Sequence, residues 1–279
     1  MKILIGKLLV VLVLVYAALL IFALFLSDGV IFQPRLSSYQ DAPEILKLAT
    51  ANGSRISAVY LPNDSAKFTL LVSHGNAEDL GDGRYWLEDL RRAGFAVFAY
   101  DYEGYGTSQG KPSEKRVYQD VETAYDYLVV NLKVPPERVI IFGKSVGSGP
   151  AVHIAAIRPV AALILQSPFV SAFRVLTRIP LLPFDKFPNY KNIPHVHCPV
   201  LIIHGTVDTV IGPWHGQKLY DLANDPKSYF WVKGADHNDL EMRAGKSYLA
   251  ALQQFTQSVN RGTQPPLAPG DPRNIPGDE

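Results

Sequence analysis

The chain has 279 residues, room for two ordinary domains or one large α/β domain. Hydrophobic residues make up 47% and charged residues 19%, a globular mixture that excludes whole-chain disorder and collagen-like repeats. Lys and Arg number 27 against 26 Asp and Glu, so the net charge of +1 gives no electrostatic reason to bind nucleic acid; the one cysteine, Cys198, excludes an internal disulfide and a Cys-rich metal site.

The first element is residues 8–26, nineteen positions without a charge. At about 1.5 Å of rise per residue this run spans roughly 28 Å, close to the hydrocarbon core of a bilayer. No polar residue repeats at any period, so no helix face suits water. A cleaved signal peptide has a shorter apolar region and a small-x-small site. Here Ser27-Asp28-Gly29 is the only approach to one, and residues 1–29 read as an uncleaved transmembrane signal anchor. Lys2 and Lys7 precede the run, while Asp28 and Arg35 follow it. The positive-inside rule then expects a single-pass protein with the rest of the chain on the non-cytoplasmic side.

Residues 30–52 read as a connector containing Pro and Ser. Strands are expected over 55–61, 68–73, 95–100, 138–142, 161–166, 200–204 and 228–232, several of them continuously apolar (LLVS, VIIF, ALIL, VLII). Such runs are what a parallel sheet covered on both faces requires. Amphipathic stretches expected as helices alternate with them: 85–93, 113–132, 149–157, 214–223 and 242–260. The alternation predicts an α/β fold, a mostly parallel sheet with right-handed crossovers and helices on both faces, over 53–260. The tail 261–279 carries Pro265, Pro266, Pro269, Pro272 and Pro276 without an apolar period, and is expected to be disordered.

Gly143-Lys144-Ser145-Val146-Gly147 follows the strand VIIF and precedes a helical run. A sharp strand-to-helix turn there exposes the central hydroxyl, and glycines two before and two after avoid collision with neighbouring backbone. A hydroxyl is a weak nucleophile and needs an adjacent base. Of seven histidines, His237 sits in the loop after the last strand, at the carboxyl edge that also bears Ser145. His153 reads as packed inside a helix, His74 and His204 as locally hydrogen-bonded strand ends, and His215 as lying on a surface helix. His195, His197 and Cys198 resemble a metal cluster but fall in a Pro-punctuated loop without a second ligand pair. Asp208, shortly after the strand VLII, is the expected acid; Asp236 adjoins His237, and neighbouring side chains diverge. Asp101, also after a strand, reads as part of a structural turn. The order Ser145, Asp208, His237 is that expected of a strand–turn–helix nucleophile fold. The oxyanion hole is assigned to the backbone N–H groups of Val146 and Asn76. No cofactor or metal is required.

Over roughly residues 45–258 the sequence resembles the α/β-hydrolase superfamily: SHGNAED, DYEGYGTSQG, GKSVGSG, HGTVD and GADHND follow its pattern in order. SHGNAED and DHNDLE look like the membrane-associated α/β-hydrolase-domain proteins that include protein depalmitoylases. Those carry an N-terminal cysteine cluster for lipid attachment, where this chain has an apolar run. The resemblance implies an α/β-hydrolase fold with a short lid at about 168–198 and a serine hydrolase acting on carboxylic esters or thioesters of small-molecule, acylated or lipid-like substrates. Two other readings stand beside it. A peptidase or aminopeptidase on the same fold usually needs an acidic anchor, and the lid has only Asp185. A non-catalytic membrane scaffold usually lacks a triad member. Because every assigned site residue lies after position 70, a chain beginning near Gln33 is expected to keep its rate on a short soluble ester.

Overall fold

The structure, a computed structural model, describes residues 2–263; the expected tail beyond 263 lies outside them. The sheet has eight strands: β1 (Leu46–Ala49), β2 (Arg55–Leu61), β3 (Thr69–Ser73), β4 (Ala96–Tyr100), β5 (Val139–Lys144), β6 (Ala162–Gln166), β7 (Val200–Gly205) and β8 (Lys227–Val232). Their order is β1-β2-β4-β3-β5-β6-β7-β8. The strands β4-β3-β5-β6-β7-β8 are parallel, and β1 and β2 run antiparallel at one edge.

The continuous apolar runs are accounted for by two cores. On one face Leu71, Phe98, Ile141, Leu163 and Ile202 pack against helices Glu114–Asp126, Ser148–Ile157 and Trp214–Leu222. On the other, Leu70, Val97, Ile140, Ile164 and Ile203 pack against helices Arg84–Arg92 and Lys246–Arg261. Consecutive strand residues therefore go into opposite cores, and neither face is left to polar side chains.

Two features differ from the sequence reading. Strand β1 lies inside the stretch read as a connector; it pairs with β2 (Leu46 opposite Ala58), and only Leu48 of its four residues is buried. The last expected helix is two, Leu240–Ala244 and Lys246–Arg261, broken at Gly245, whose φ of 53° is in the left-handed region.

Helix Lys2–Phe25 is long and apolar enough to cross a membrane. The segment after it is tied to the domain. Phe32 is buried in the first core, Tyr39 donates its hydroxyl to Asp101 at 2.6 Å, and Ser38 bonds Asp79 through its backbone N–H and its hydroxyl.

Asp120 lies buried under the sheet edge, one carboxyl oxygen accepting from the Glu103 N–H and the other without a partner. Burial, reinforced by the Glu103 carboxylate, pushes its pKa up from 3.8 to about 8, against the pull of the Glu103 N–H and Arg116. Between roughly pH 4 and 8 the folded chain holds a proton that the unfolded chain has released, so stability falls as pH rises through that window. Asp120→Asn keeps the acceptor and cannot ionise. Between pH 5 and 8 wild-type Tm should fall more than that of the variant; parallel Tm profiles would contradict the assignment.

Candidate active site

Because β3, β5, β7 and β8 are parallel, the loops leaving their carboxyl ends meet at one edge. The turn after β5 places Ser145 at φ 53°, a left-handed conformation costly for a non-glycine residue. Space for the turn comes from Gly143 and Gly147. A Cβ on Gly143 would strike Ala151 and the Gly147 carbonyl, and one on Gly147 would strike the carbonyls of Ser73 and His74 at the end of β3.

Ser145, Asp208 and His237 are brought together, each nearly buried. His237 Nε2 is 3.0 Å from Ser145 Oγ, and its Nδ1 is 2.8 Å from Asp208 Oδ2. With the proton assigned to Nδ1, facing the carboxylate, Nε2 is left to accept the serine proton. The other oxygen of Asp208 accepts the N–H groups of Val210 (3.0 Å) and Ile211 (2.7 Å). Burial alone would raise the Asp208 pKa. Hydrogen bonds from His204 and His237 outweigh it and hold the carboxyl well below its usual range. Asp236 does not touch the imidazole. Its carboxylate accepts from the N–H groups of Thr209 (2.7 Å) and His237 (2.8 Å), tying the loop after β7 to the loop after β8.

Val146 and Asn76 both line the cleft in front of Ser145, a cavity of about 530 Å³ with walls that include Phe169, Val175, Leu176 and Ile211. Asn76 stands on the loop after β3, where the next residue, Ala77, has φ 56°. Its side chain holds more of the structure than its sequence context suggests. The amide nitrogen donates to the Ile31 carbonyl (2.7 Å), and the oxygen accepts from Gln33 N–H (3.0 Å) and Tyr105 OH (2.6 Å). Val30, Ile31, Gln33 and Arg35 line the same cleft. The segment 30–35 is thus one wall of the cleft, beside assigned site residues that all lie after position 70.

The remaining histidines divide. His153 stacks on Tyr118 at 4.0 Å and bonds Glu122. His74 and His204 make the expected local bonds, to the carbonyls of Gly75 and Ile211, but each also approaches a buried carboxylate at 3.3 Å, Asp101 and Asp208 respectively. His215 is corrected: its helix is present, yet the ring is buried, stacks on Trp214 and accepts the Val170 N–H, and burial pulls its pKa down to about 3. Among the described residues no group of three or more His, Cys, Asp or Glu side chains is placed to hold a metal ion.

A mostly parallel sheet carrying a serine on a strand-to-helix turn, with a histidine and a buried aspartate behind it, is the arrangement of a hydrolase that forms a covalent intermediate. A family model described as serine aminopeptidase, S33 (Hydrolase_4) matches residues 64–183. Alpha/beta hydrolase domain-containing protein 17B of Homo sapiens is 43% identical over 223 residues, 78% of this chain and 77% of its own. Alpha/beta hydrolase domain-containing protein aho-3 of Caenorhabditis elegans is 44% identical over 201 residues, 70% of this chain and 58% of its own. Among solved structures, an esterase of Pyrococcus furiosus superposes with a TM-score of 0.68 at 18% identity, covering 81% of this chain and 98% of that one. A monoacylglycerol lipase of Paleococcus ferrophilus gives 0.59 at 21% identity, covering 74% and 98%. The chain belongs to the α/β-hydrolase family and is a serine hydrolase.

The contacts of residues 31–33 set where the chain can be shortened. A chain beginning at Asp28 should keep kcat on a short soluble ester. One beginning at Leu36 loses Phe32, Ile31 and Gln33, and its kcat should fall by about tenfold or more, as expected for a disturbed oxyanion loop. Equal rates for the two shortened proteins would show that the segment is dispensable.

Proposed function

We propose that the protein is a membrane-anchored hydrolase of carboxylic esters or thioesters, and that Ser145, His237 and Asp208 are its catalytic residues. The observation that carries this reading is the continuous Ser145–His237–Asp208 relay, with both links at 3.0 Å or less. Ser145 Oγ attacks the acyl carbon while His237 Nε2 takes its proton. The charge on the tetrahedral oxygen falls to the N–H groups of Val146 and Asn76. His237 returns the proton to the leaving alcohol or thiol, and water repeats the sequence on the acyl-serine.

The cleft supports an acyl substrate over a peptide. Its acid, Glu78, is ion-paired with Lys144 at 2.9 Å, so it is not free to anchor a substrate amine. Asp185, the acid of the lid, does not line the cleft; it accepts from Ser171 Oγ (2.6 Å) and Phe173 N–H (3.0 Å). Anchoring by helix Lys2–Phe25 is supported by its length and composition, and Lys2 and Lys7 at its amino end favour a cytoplasmic N-terminus. On this reading residues 1–29 are the anchor, 30–52 the connector and 53–260 the hydrolase domain.

Purified full-length protein assayed on acyl esters and thioesters of graded chain length tests the bond type; hydrolysis of aminoacyl amides in preference to both would favour the peptidase reading. Ser145→Ala should abolish labelling by a fluorophosphonate and lower turnover by several orders of magnitude with the fold intact. Asp208→Asn should cost about 10⁴ in kcat through the wrong imidazole tautomer, and Asp236→Asn far less. A reversal of the two aspartate effects would show that the acid is misassigned.

A further inference from the structure

The cleft in front of Ser145 has two unlike parts. Phe169, Ala172, Val175 and Leu176 give it an apolar lining. Gln33, Arg35, Glu78, Lys144 and Asn238 give it a polar one. The polar part adjoins the histidine of the relay. Asn238 follows His237 directly, and Lys144 precedes Ser145. Lys144 Nζ is 2.9 Å from Glu78, on the loop after β3, and 3.4 Å from Glu241, four residues past His237. In the proposed mechanism His237 returns its proton to the leaving group. The leaving group therefore belongs to the polar part of the cleft, and the acyl chain to the apolar part.

The charges that line the cleft are not all free. Lys144 and Glu78 are spent on each other; Glu241, which does not line it, is held by Lys144 and by Gln166 Nε2 at 2.8 Å. Arg35 makes no ion pair among the described residues. Nor does it stand on a loose stretch. Two residues before it the Gln33 N–H donates to Asn76 Oδ1 at 3.0 Å, and three residues after it the Ser38 N–H donates to Asp79 Oδ2 at 2.7 Å. Pro34, its neighbour, has φ fixed by its ring. The span 33–38 is thus clamped at both ends to the loop after β3, and Arg35 lies between the clamps. A guanidinium is a planar fork of five donors that fits two oxygens of a carboxylate or phosphate at once.

We propose that Arg35 is a specificity residue for the leaving group, and that the leaving group of the natural substrate carries an anion, a carboxylate or a phosphate. The inference rests on the reading of Ser145 as the nucleophile of an ester or thioester hydrolase and deepens it. Arg35 takes no part in acyl transfer. It holds the anion, and the anion places the departing oxygen or sulfur beside His237 Nε2. Such an interaction is made alike in the bound substrate and in the transition state, so its loss is read in KM more than in kcat.

The test uses the full-length protein in dodecyl maltoside and phenyl butyrates that differ only in the para substituent of the leaving phenol. Carboxylate and phosphonate are the two anionic probes, and carboxamide is the neutral one. Arg35→Gln should lower the anionic-to-carboxamide ratio of kcat/KM by about fivefold or more, chiefly through KM. The probe with the larger fall identifies the anion that fits. Arg35→Glu should lower the ratio further and favour a para-trimethylammonio ester, a reversal that a merely structural role would not produce. An equal loss on all esters would show that Arg35 only supports the wall of the cleft, and an unchanged ratio would show that it does not meet the leaving group; either overturns the proposal. A wild-type protein that hydrolyses none of the esters and takes no fluorophosphonate label at Ser145 overturns the hydrolase reading itself. Labelling and hydrolysis that ignore the para charge overturn only the present inference.

Discussion

Ser145 can stand on its turn only because position 147 carries no side chain. The Cα of Gly147 lies against the carbonyls of Ser73 and His74, so the turn after β5 touches the loop after β3 backbone to backbone. That contact sets the distance between Ser145 and the loop bearing Asn76, the two parts that close around the oxyanion in the proposed mechanism. The parallel sheet supplies the rest: with β7 and β8 in register beyond β6, Asp208 and His237 arrive at the same edge without any long loop. The fold thus delivers the site from strand ends, and the strain at Ser145 is held by the packed sheet beneath it.

The interior is legible in the sequence because burial there is two-sided. In β3, β5, β6 and β7 every residue or nearly every residue is buried, and a short unbroken apolar run between turns is the mark of a strand covered on both faces. Strand β1 carries no such signal, being an edge strand that buries Leu48 alone. The relay is legible for a related reason: Ser145, Asp208 and His237 each follow a strand, so a one-dimensional pattern already carries their common edge. Nothing in the sequence marks the wall formed by 31–33. Its contacts with Asn76 go through the Ile31 carbonyl and the Gln33 N–H, main-chain groups that leave no trace in side-chain pattern. The burial of His215 is hidden in the same way, because the donor that meets its ring is the main chain of Val170.

The same wall links the two ends of the molecule. Phe32 enters the hydrophobic core, Asp28 pairs with Lys186 of the lid, and Asn76 is gripped between Ile31, Gln33 and Tyr105. A flexible tether would raise the local concentration of substrate and nothing more. A tether packed against the Asn76 loop, as the proposed anchor would be through residues 31–33, also sets the direction in which the cleft faces.

The buried charge of Asp208 shows how the relay is kept in one arrangement. A carboxylate taken from water must recover its hydrogen bonds. Here Oδ1 takes two backbone N–H groups, and Oδ2 lies near two imidazoles. Those imidazoles are not equivalent. His204 is fully buried, its Nε2 is satisfied by the Ile211 carbonyl at 2.7 Å, and its Nδ1 has no partner and faces the backbone of Gly216. The same Nε2 lies 3.3 Å from Asp208 Oδ2. Of the two rings beside the carboxylate, that of His237 meets Ser145, and the imidazolium formed during the proposed proton transfer there finds a carboxylate 2.8 Å away.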